Sequence, residues 1–209
     1  GICLVRYING SDKDVWLSTK GKGISVLTDD DIEYVFDGMQ PYCAAGNDYE
    51  AFNSFRAKSD DEIDLTEMDF SNATLENIDF TNCDLAGSNF ADTTLSVVNF
   101  TDASLESVDF TRANVVECDF SGSLLNGTNF NFATLNYCNF TDADMVGCIL
   151  TEADLTDSDL TACENLMQCR FDDTTIWPDN DMLPEDFDTS STRDLSALED
   201  EEEPVREDY

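Results

Sequence analysis

Between residues 65 and 160 a bulky apolar residue stands at every fifth position: Leu65, Phe70, Leu75, Phe80, Leu85, Phe90, Leu95, Phe100, Leu105, Phe110, Val115, Phe120, Leu125, Phe130, Leu135, Phe140, Met145, Leu150, Leu155 and Leu160. Two residues before most of them the side chain is small, as at Ala73, Cys83, Ser88, Ala103, Ala113, Cys118, Ser123, Thr128, Ala133, Cys138, Ala143, Cys148, Ala153 and Ser158. The three other positions of each five are mostly Asp, Asn, Thr, Ser, Glu or Gly. An α-helix turns each residue by about 100°, so a step of five rotates a side chain by about 140° and builds no single face. A straight strand reverses faces at every residue, so positions five apart point oppositely. The period fits a chain that bends once per repeat, with the small and the bulky residue on one face of a short extended piece.

Four such bends close a square of twenty residues, and the twenty bulky positions make about five coils. Stacked at the strand spacing of about 4.8 Å, they form a rod about 24 Å long. Positions twenty apart then share a wall. One wall carries Phe70, Phe90, Phe110 and Phe130, and the wall facing it carries Phe80, Phe100, Phe120 and Phe140. Leucines fill the two walls between, with Val115 and Met145 as exceptions. These facing Phe ladders are the predicted core. After Leu160 the spacing slips by one residue, to Leu166 and Phe171.

With "ADLTD" and "CDFSG" on the page, the region resembles the pentapeptide repeat family, whose pattern is a small residue, Asp or Asn, Leu or Phe, then two polar residues. The resemblance implies an all-β solenoid: a right-handed quadrilateral β-helix, here of about five 20-residue coils, with a small N-terminal α/β cap and an acidic C-terminal tail. It implies no chemistry, because a fold hosts many functions.

The ends divide the chain. Residues 1–58 form an expected N-terminal cap or docking module, with two strands around Asn9-Gly10 in "CLVRYINGSDKDVWLS". A short helix is expected in "TDDDIEYVFDGM", capped at Thr28, with Asp31 three residues on and an end near Gly38. "DYEAFNSFRAK" is a second helix candidate. Residues 59–171 are the β-helix and 172–188 a closing segment, in which Trp177 and Phe187 fold over the open end as a C-terminal cap. Its Thr175-x-Trp177-Pro178…Phe187-Asp188 run resembles the ending of cyanobacterial and plastid-type members of the family. That ending implies a plastid or thylakoid setting or a bacterial cytoplasm. Residues 189–209, with "LEDEEEPVREDY", read as a disordered acidic tail that a basic partner would order.

Charge narrows the partners. Formal net charge is −36 from 46 acids and 10 bases, with no histidine. Residues 1–59 carry net −3, residues 60–171 net −20 and residues 172–209 net −13. Such a surface repels nucleic acid, whose binding needs Lys and Arg. It suits a basic partner, a salty milieu or mimicry of nucleic acid. No run of eighteen apolar residues offers a membrane-spanning helix. The first residue is Gly1 rather than Met, as expected of a processed or truncated product.

Acids before the bulky residues stack in ladders that alternate Asp with Asn: Asp79, Asn99, Asp119, Asn139, Asp159 on one wall and Asp69, Asn89, Asp109, Asn129 on another. Alternation doubles the separation of like charges, so the acidity reads as tuned for stacking. Cys83, Cys118, Cys138, Cys148, Cys163 and Cys169 lie in or just after the coils and read as buried thiols. Cys118 and Cys138 are vertical neighbours, but parallel side chains at strand spacing are slightly too far apart for a relaxed disulfide. Cys3 and Cys43 stand outside, unassigned. Without histidine or CxxC, a zinc site would need four cysteines that the coil scatters. No metal or other cofactor is expected.

No phosphate loop, nucleophile elbow or histidine appears, so no catalytic residue and no enzyme is expected. Val97, Val116, Phe132 and Tyr137 break the polar rule for outward positions, all on or beside one leucine wall. They are either scattered surface residues or one protein-binding patch. Leu124, Val146 and Ile149 are further outward apolars on neighbouring walls. The expected role is therefore a rigid protein-binding scaffold or accessory subunit of a larger complex, with no direct nucleic-acid binding. The resemblance implies an alternative, since some family members mimic DNA and inhibit or protect type II topoisomerases.

Overall fold

The computed structural model describes residues 63–190 continuously and, before them, residues 52, 53 and 57 and the backbones of three strands. These strands, β1 (Leu4–Tyr7), β2 (Val15–Ser18) and β3 (Ser25–Thr28), form an antiparallel sheet in the order β1-β2-β3. The two strands expected around Asn9-Gly10 are β1 and β2. The third, β3, ends at Thr28, the residue read from sequence as a helix cap. The helix expected after it, the turn at Asn9-Gly10, Cys3, Cys43 and the tail beyond residue 190 all lie outside the described residues.

Residues 63–176 form the right-handed quadrilateral β-helix that the period of five predicts. Each coil occupies twenty residues, starting at 63, 83, 103, 123 and 143. Every bulky position from Leu65 to Leu160 is buried, at most 2% exposed. We number the walls by their bulky residues: the first carries Leu65 to Met145, the second Phe70 to Leu150, the third Leu75 to Leu155 and the fourth Phe80 to Leu160. Parallel, in-register pairing joins residues twenty apart, as in β4 (Ile63–Asp64) with β6 (Cys83–Asp84). The third wall is the most strand-like. There β5 (Thr74–Glu76), β7 (Thr94–Ser96), β8 (Asn114–Val116) and β9 (Thr134–Asn136) make an unbroken four-stranded parallel sheet.

Aromatic stacking follows the walls. On the second wall Phe90 and Phe110 stack at 5.0 Å, as do Phe120 and Phe140 on the fourth. The ladders meet edge to face across the tube, for example Phe110 against Phe120 at 6.2 Å and 87°. Both arrangements suit the quadrupole of a phenyl ring. Each buried Phe contributes about 1.5–3 kcal/mol by leaving water.

The small inward residues do more than leave room for rings. Thr128 Oγ1 donates to the Leu105 carbonyl at 2.7 Å, and Ser88 Oγ donates to that of Leu65 at 2.8 Å. Cys148 Sγ donates to the Leu125 carbonyl at 2.9 Å and Cys169 Sγ to that of Met145 at 3.1 Å. These inward groups therefore tie one coil to the next while satisfying their own polarity.

Each end is closed by specific groups. At the start, Phe52 lies 5.5 Å from Phe80 and extends the fourth-wall ladder downward. The Asn53 amide beside it accepts the Asp79 N–H at 2.9 Å and donates to the Asn77 carbonyl at 2.8 Å, as a lower strand would. At the other end the slip after Leu160 is taken up by Asn165, at φ 59°, and the 3₁₀ turn Leu166–Gln168. Leu166 and Phe171 then re-enter the core. Pairing crosses the expected boundary at 171, since Ile176 bridges to Asp154. Phe171, Trp177 and Phe187 form an aromatic cluster with centroids 4.9–5.6 Å apart.

Candidate functional site on the third wall

The four walls differ in what they show to solvent. On most of the first, second and fourth walls an Asp or Asn precedes the bulky residue, and its Oδ1 accepts the N–H two residues on. Examples are Thr111 N–H to Asp109 at 2.9 Å and Ser121 N–H to Asp119 at 3.0 Å. The Asp/Asn ladders stack as expected, with Asn139 Nδ2 donating to Asp119 at 3.1 Å and Asn129 Nδ2 to Asp109 at 3.4 Å. The third wall has Thr74, Thr94, Asn114 and Thr134 there, and its strands run on through the next residue. At Asp154, which accepts the Thr156 N–H at 3.0 Å, a turn replaces the strand.

From the second to the fourth coil, the third wall shows Thr94, Ser96, Asn114, Val116, Thr134 and Asn136 between its corners. None is charged. Each other wall carries at least one carboxylate over the same coils: Asp84 and Glu106 on the first, Asp109 on the second, Asp119 on the fourth.

The corners sharpen the contrast. From Leu65 to Leu155, the residue two beyond each bulky position turns the chain with φ between 53° and 69°. Only Gly adopts this left-handed conformation freely, with Asn and Asp next. The corners bounding the first wall follow that preference, with Gly87, Gly122, Gly127, Gly147, Asn82, Asp102 and Asp142, alongside Glu67 and Ser107. A Cβ on Gly122 would strike the Asp102 side chain. Of the ten corners bounding the third wall, Asn72, Asn77, Asp92 and Asp157 keep to that preference and Glu117 and Glu152 do not, but four hold Val97 (φ 54°), Arg112 (φ 58°), Phe132 (φ 59°) and Tyr137 (φ 59°). Val97, Phe132 and Tyr137 are 47, 47 and 59% exposed. They are bulky, apolar, in solvent, and in a backbone conformation that disfavours them.

Of the four residues in the expected patch, Val97, Phe132 and Tyr137 are these corner posts. Val116 differs: it is half-buried in β8, laddered between Ser96 and Asn136. Ile176, 53% exposed, stands on the same wall above Asp154 and was not singled out in the sequence because the slip hides its register. Leu124 is exposed on the first wall, away from the cluster. Trp177 and Phe187 are half-buried against the core, beside Phe171.

From the second to the fourth coil, charge at the wall sits on its edges. Arg112 bonds Asp92 through both Nε and an Nη at 2.7 Å, joining two corner residues vertically. Its guanidinium holds the Asp92 carboxyl below the usual range. The Tyr137 hydroxyl bonds Asp157, whose nearby negative charge raises the phenol above its ordinary pKa. Glu117 sits between Val97 and Tyr137, and Glu152 above Phe132. No three residues among His, Cys, Asp and Glu could hold a metal ion among the described residues. Burial pushes the Cys118 thiol up to about 12 and those of Cys138, Cys148 and Cys163 upward too. These are protonated packing groups, not nucleophiles. A cavity of about 290 Å³ opens at the slip, lined by Cys163, Leu166, Met167, Gln168, Pro184 and Phe187 among others.

Comparison with known proteins agrees with this architecture. A family model described as "Pentapeptide repeat region" matches residues 61–130, and "Pentapeptide repeats (8 copies)" matches 123–161 and 138–175. The chain belongs to the pentapeptide repeat family. Similar solved structures include a pentapeptide repeat protein from the Arabidopsis thaliana thylakoid lumen, at 26% identity over 48% of this chain and 78% of that one, TM-score 0.37. Rfr23 from the cyanobacterium Cyanothece 51142 aligns at 18% identity over 61% and 99%, TM-score 0.33. HetL, a protein involved in heterocyst differentiation regulation in Nostoc, aligns at 20% over 58% and 70%, TM-score 0.24. Among curated proteins nothing matches the chain. No catalytic family is indicated, and no helix among the described residues is long and apolar enough to cross a membrane.

Proposed function

We propose that the protein is a non-catalytic interaction module, a stiff rod that presents its third wall to a protein partner within a larger assembly. The observation that carries this reading is the trio Val97, Phe132 and Tyr137. A corner turn needs no large side chain, and Asn or Gly would serve it better. Left-handed backbone costs an L-residue about 1 kcal/mol or more, so retained bulk at such a position has a use elsewhere. Here the use is contact: two aromatic posts and a valine frame the uncharged β7–β9 stretch of the sheet on an otherwise acidic body, and Tyr and Phe are typical interface anchors. In this reading Trp177 and Phe187 close the rod and Val116 belongs to the wall's floor. The tail and residues 1–58 lend further contacts, and a plastid setting is consistent with the Trp177-Pro178 ending.

The test is co-migration of the native chain with a large assembly on size exclusion, repeated with Val97→Asn, Phe132→Asn and Tyr137→Asn combined. The wild type should migrate with its partner and the folded triple variant alone. Retained co-migration by the variant would remove the wall from the account. The abundant carboxylates favour one second reading, mimicry of DNA toward a topoisomerase. Duplex DNA carries a charge about every 1.7 Å of axis, whereas alternating Asp and Asn spaces like charges about two coil heights apart. A purified chain that inhibits a type II topoisomerase would favour that second reading instead.

A further inference from the structure

The third wall also constrains what its partner looks like, given the docking role just proposed. We infer that the wall docks a cationic amphipathic segment, one that places an apolar side chain between the Phe132 and Tyr137 posts and Lys or Arg groups over the surrounding carboxylates. The floor of the wall, Thr94, Ser96, Asn114, Val116, Thr134 and Asn136, offers hydroxyls, amides and one aliphatic group but no charge. An apolar side chain can lie there without stripping water from an ion. The rim is different. Glu117 divides Val97 from Tyr137 in one corner column, Asp157 continues that column above Tyr137, and Glu152 stands above Phe132 in the other. Asp154 closes the floor at the top. The base at this wall, Arg112, is held by both oxygens of Asp92.

Rim included, residues 60–171 carry net −20. An acidic segment would meet that field on approach, and a second copy of the chain would bring the same charge to face it. A cationic segment is drawn in by the field, and an apolar anchor then gives the complex its lifetime. Polycations without an anchor would find carboxylates on every wall and favour none.

The test uses the full chain and two synthetic amphipathic peptides with one leucine framework, bearing lysine in the first and glutamate in the second. Affinities are measured by calorimetry with the wild type and with the Val97→Asn, Phe132→Asn, Tyr137→Asn variant. Its fold is checked by melting, and Asn suits the corner conformation. The lysine peptide should bind the wild type, more weakly as salt is added, and lose about tenfold or more in the variant. The glutamate peptide should not bind. Equal binding of both peptides, lost in the variant, would overturn the cationic assignment while leaving the wall as a docking surface. Lysine-peptide binding that is unchanged in the variant would overturn it too, since the rod's acidity at large would then explain the affinity. Self-association of the wild type that the variant abolishes would make the occupant a second copy and contradict the inference. Failure of the docking role itself reads differently: the variant would keep its native partner on size exclusion.

Discussion

A left-handed corner is an expensive place to keep a valine. At residue scale the account turns on Val97, Phe132 and Tyr137, held at φ 54–59° and about half exposed. If their bulk serves contact rather than folding, replacing each by Asn should leave stability unchanged or raise it, by up to about 1 kcal/mol per site. Urea denaturation measures this, and a loss above 1 kcal/mol at any of the three would mean that the fold itself needs the side chain. The inward positions behave oppositely. Phe110 stacks at 5.0 and 5.1 Å on its vertical neighbours and meets Phe100 and Phe120 edge-on. Phe110→Ala should cost about 3–5 kcal/mol by opening a cavity that a laddered backbone cannot close. A loss below about 1 kcal/mol would sink the ring-filled core.

At the scale of single elements, the coil is held by groups that mimic strands and by thiols that act as hydroxyls. Asn53→Ala removes the two bonds that close the first coil and should cost about 1–2 kcal/mol. Hydrogen exchange should show it first at the Asp79 amide. The raised Cys118, Cys138, Cys148 and Cys163 thiols favour the folded state only while they stay protonated. Their contribution is complete below about pH 9, the unfolded thiol value, and is lost as pH rises through the raised folded values, about 12 for Cys118. Stability followed from pH 7 to 12 should fall in that window, and Cys118→Ala should flatten the decline. Much of this was legible in the sequence, because one rule repeated twenty times fixes which residues face inward and which stack. The Phe ladders, the buried cysteines and the Asp/Asn alternation all follow from it. What was not legible depended on events the rule does not encode. Phe52 and Asn53 precede the repeat, Ile176 follows a one-residue slip, and Val116 looks outward in the pattern yet is half covered by its ladder neighbours. The third wall's identity was half visible: four outward apolar residues pointed to it, but the left-handed corners needed the backbone.

Over its described coils the protein is a filled tube whose backbone is laddered on every side. Its walls are not equivalent, and the uncharged strip between two bulky corners is the face we propose for a partner. The most direct check of that claim is site-specific photo-crosslinking in the source cell. A benzophenone side chain is placed at Tyr137 in one strain and at Glu106, on the opposite wall, in another. A discrete protein adduct from Tyr137 and none from Glu106 is the predicted result. Adducts of equal yield from both positions, or an adduct from Glu106 alone, would contradict the third wall as the docking face.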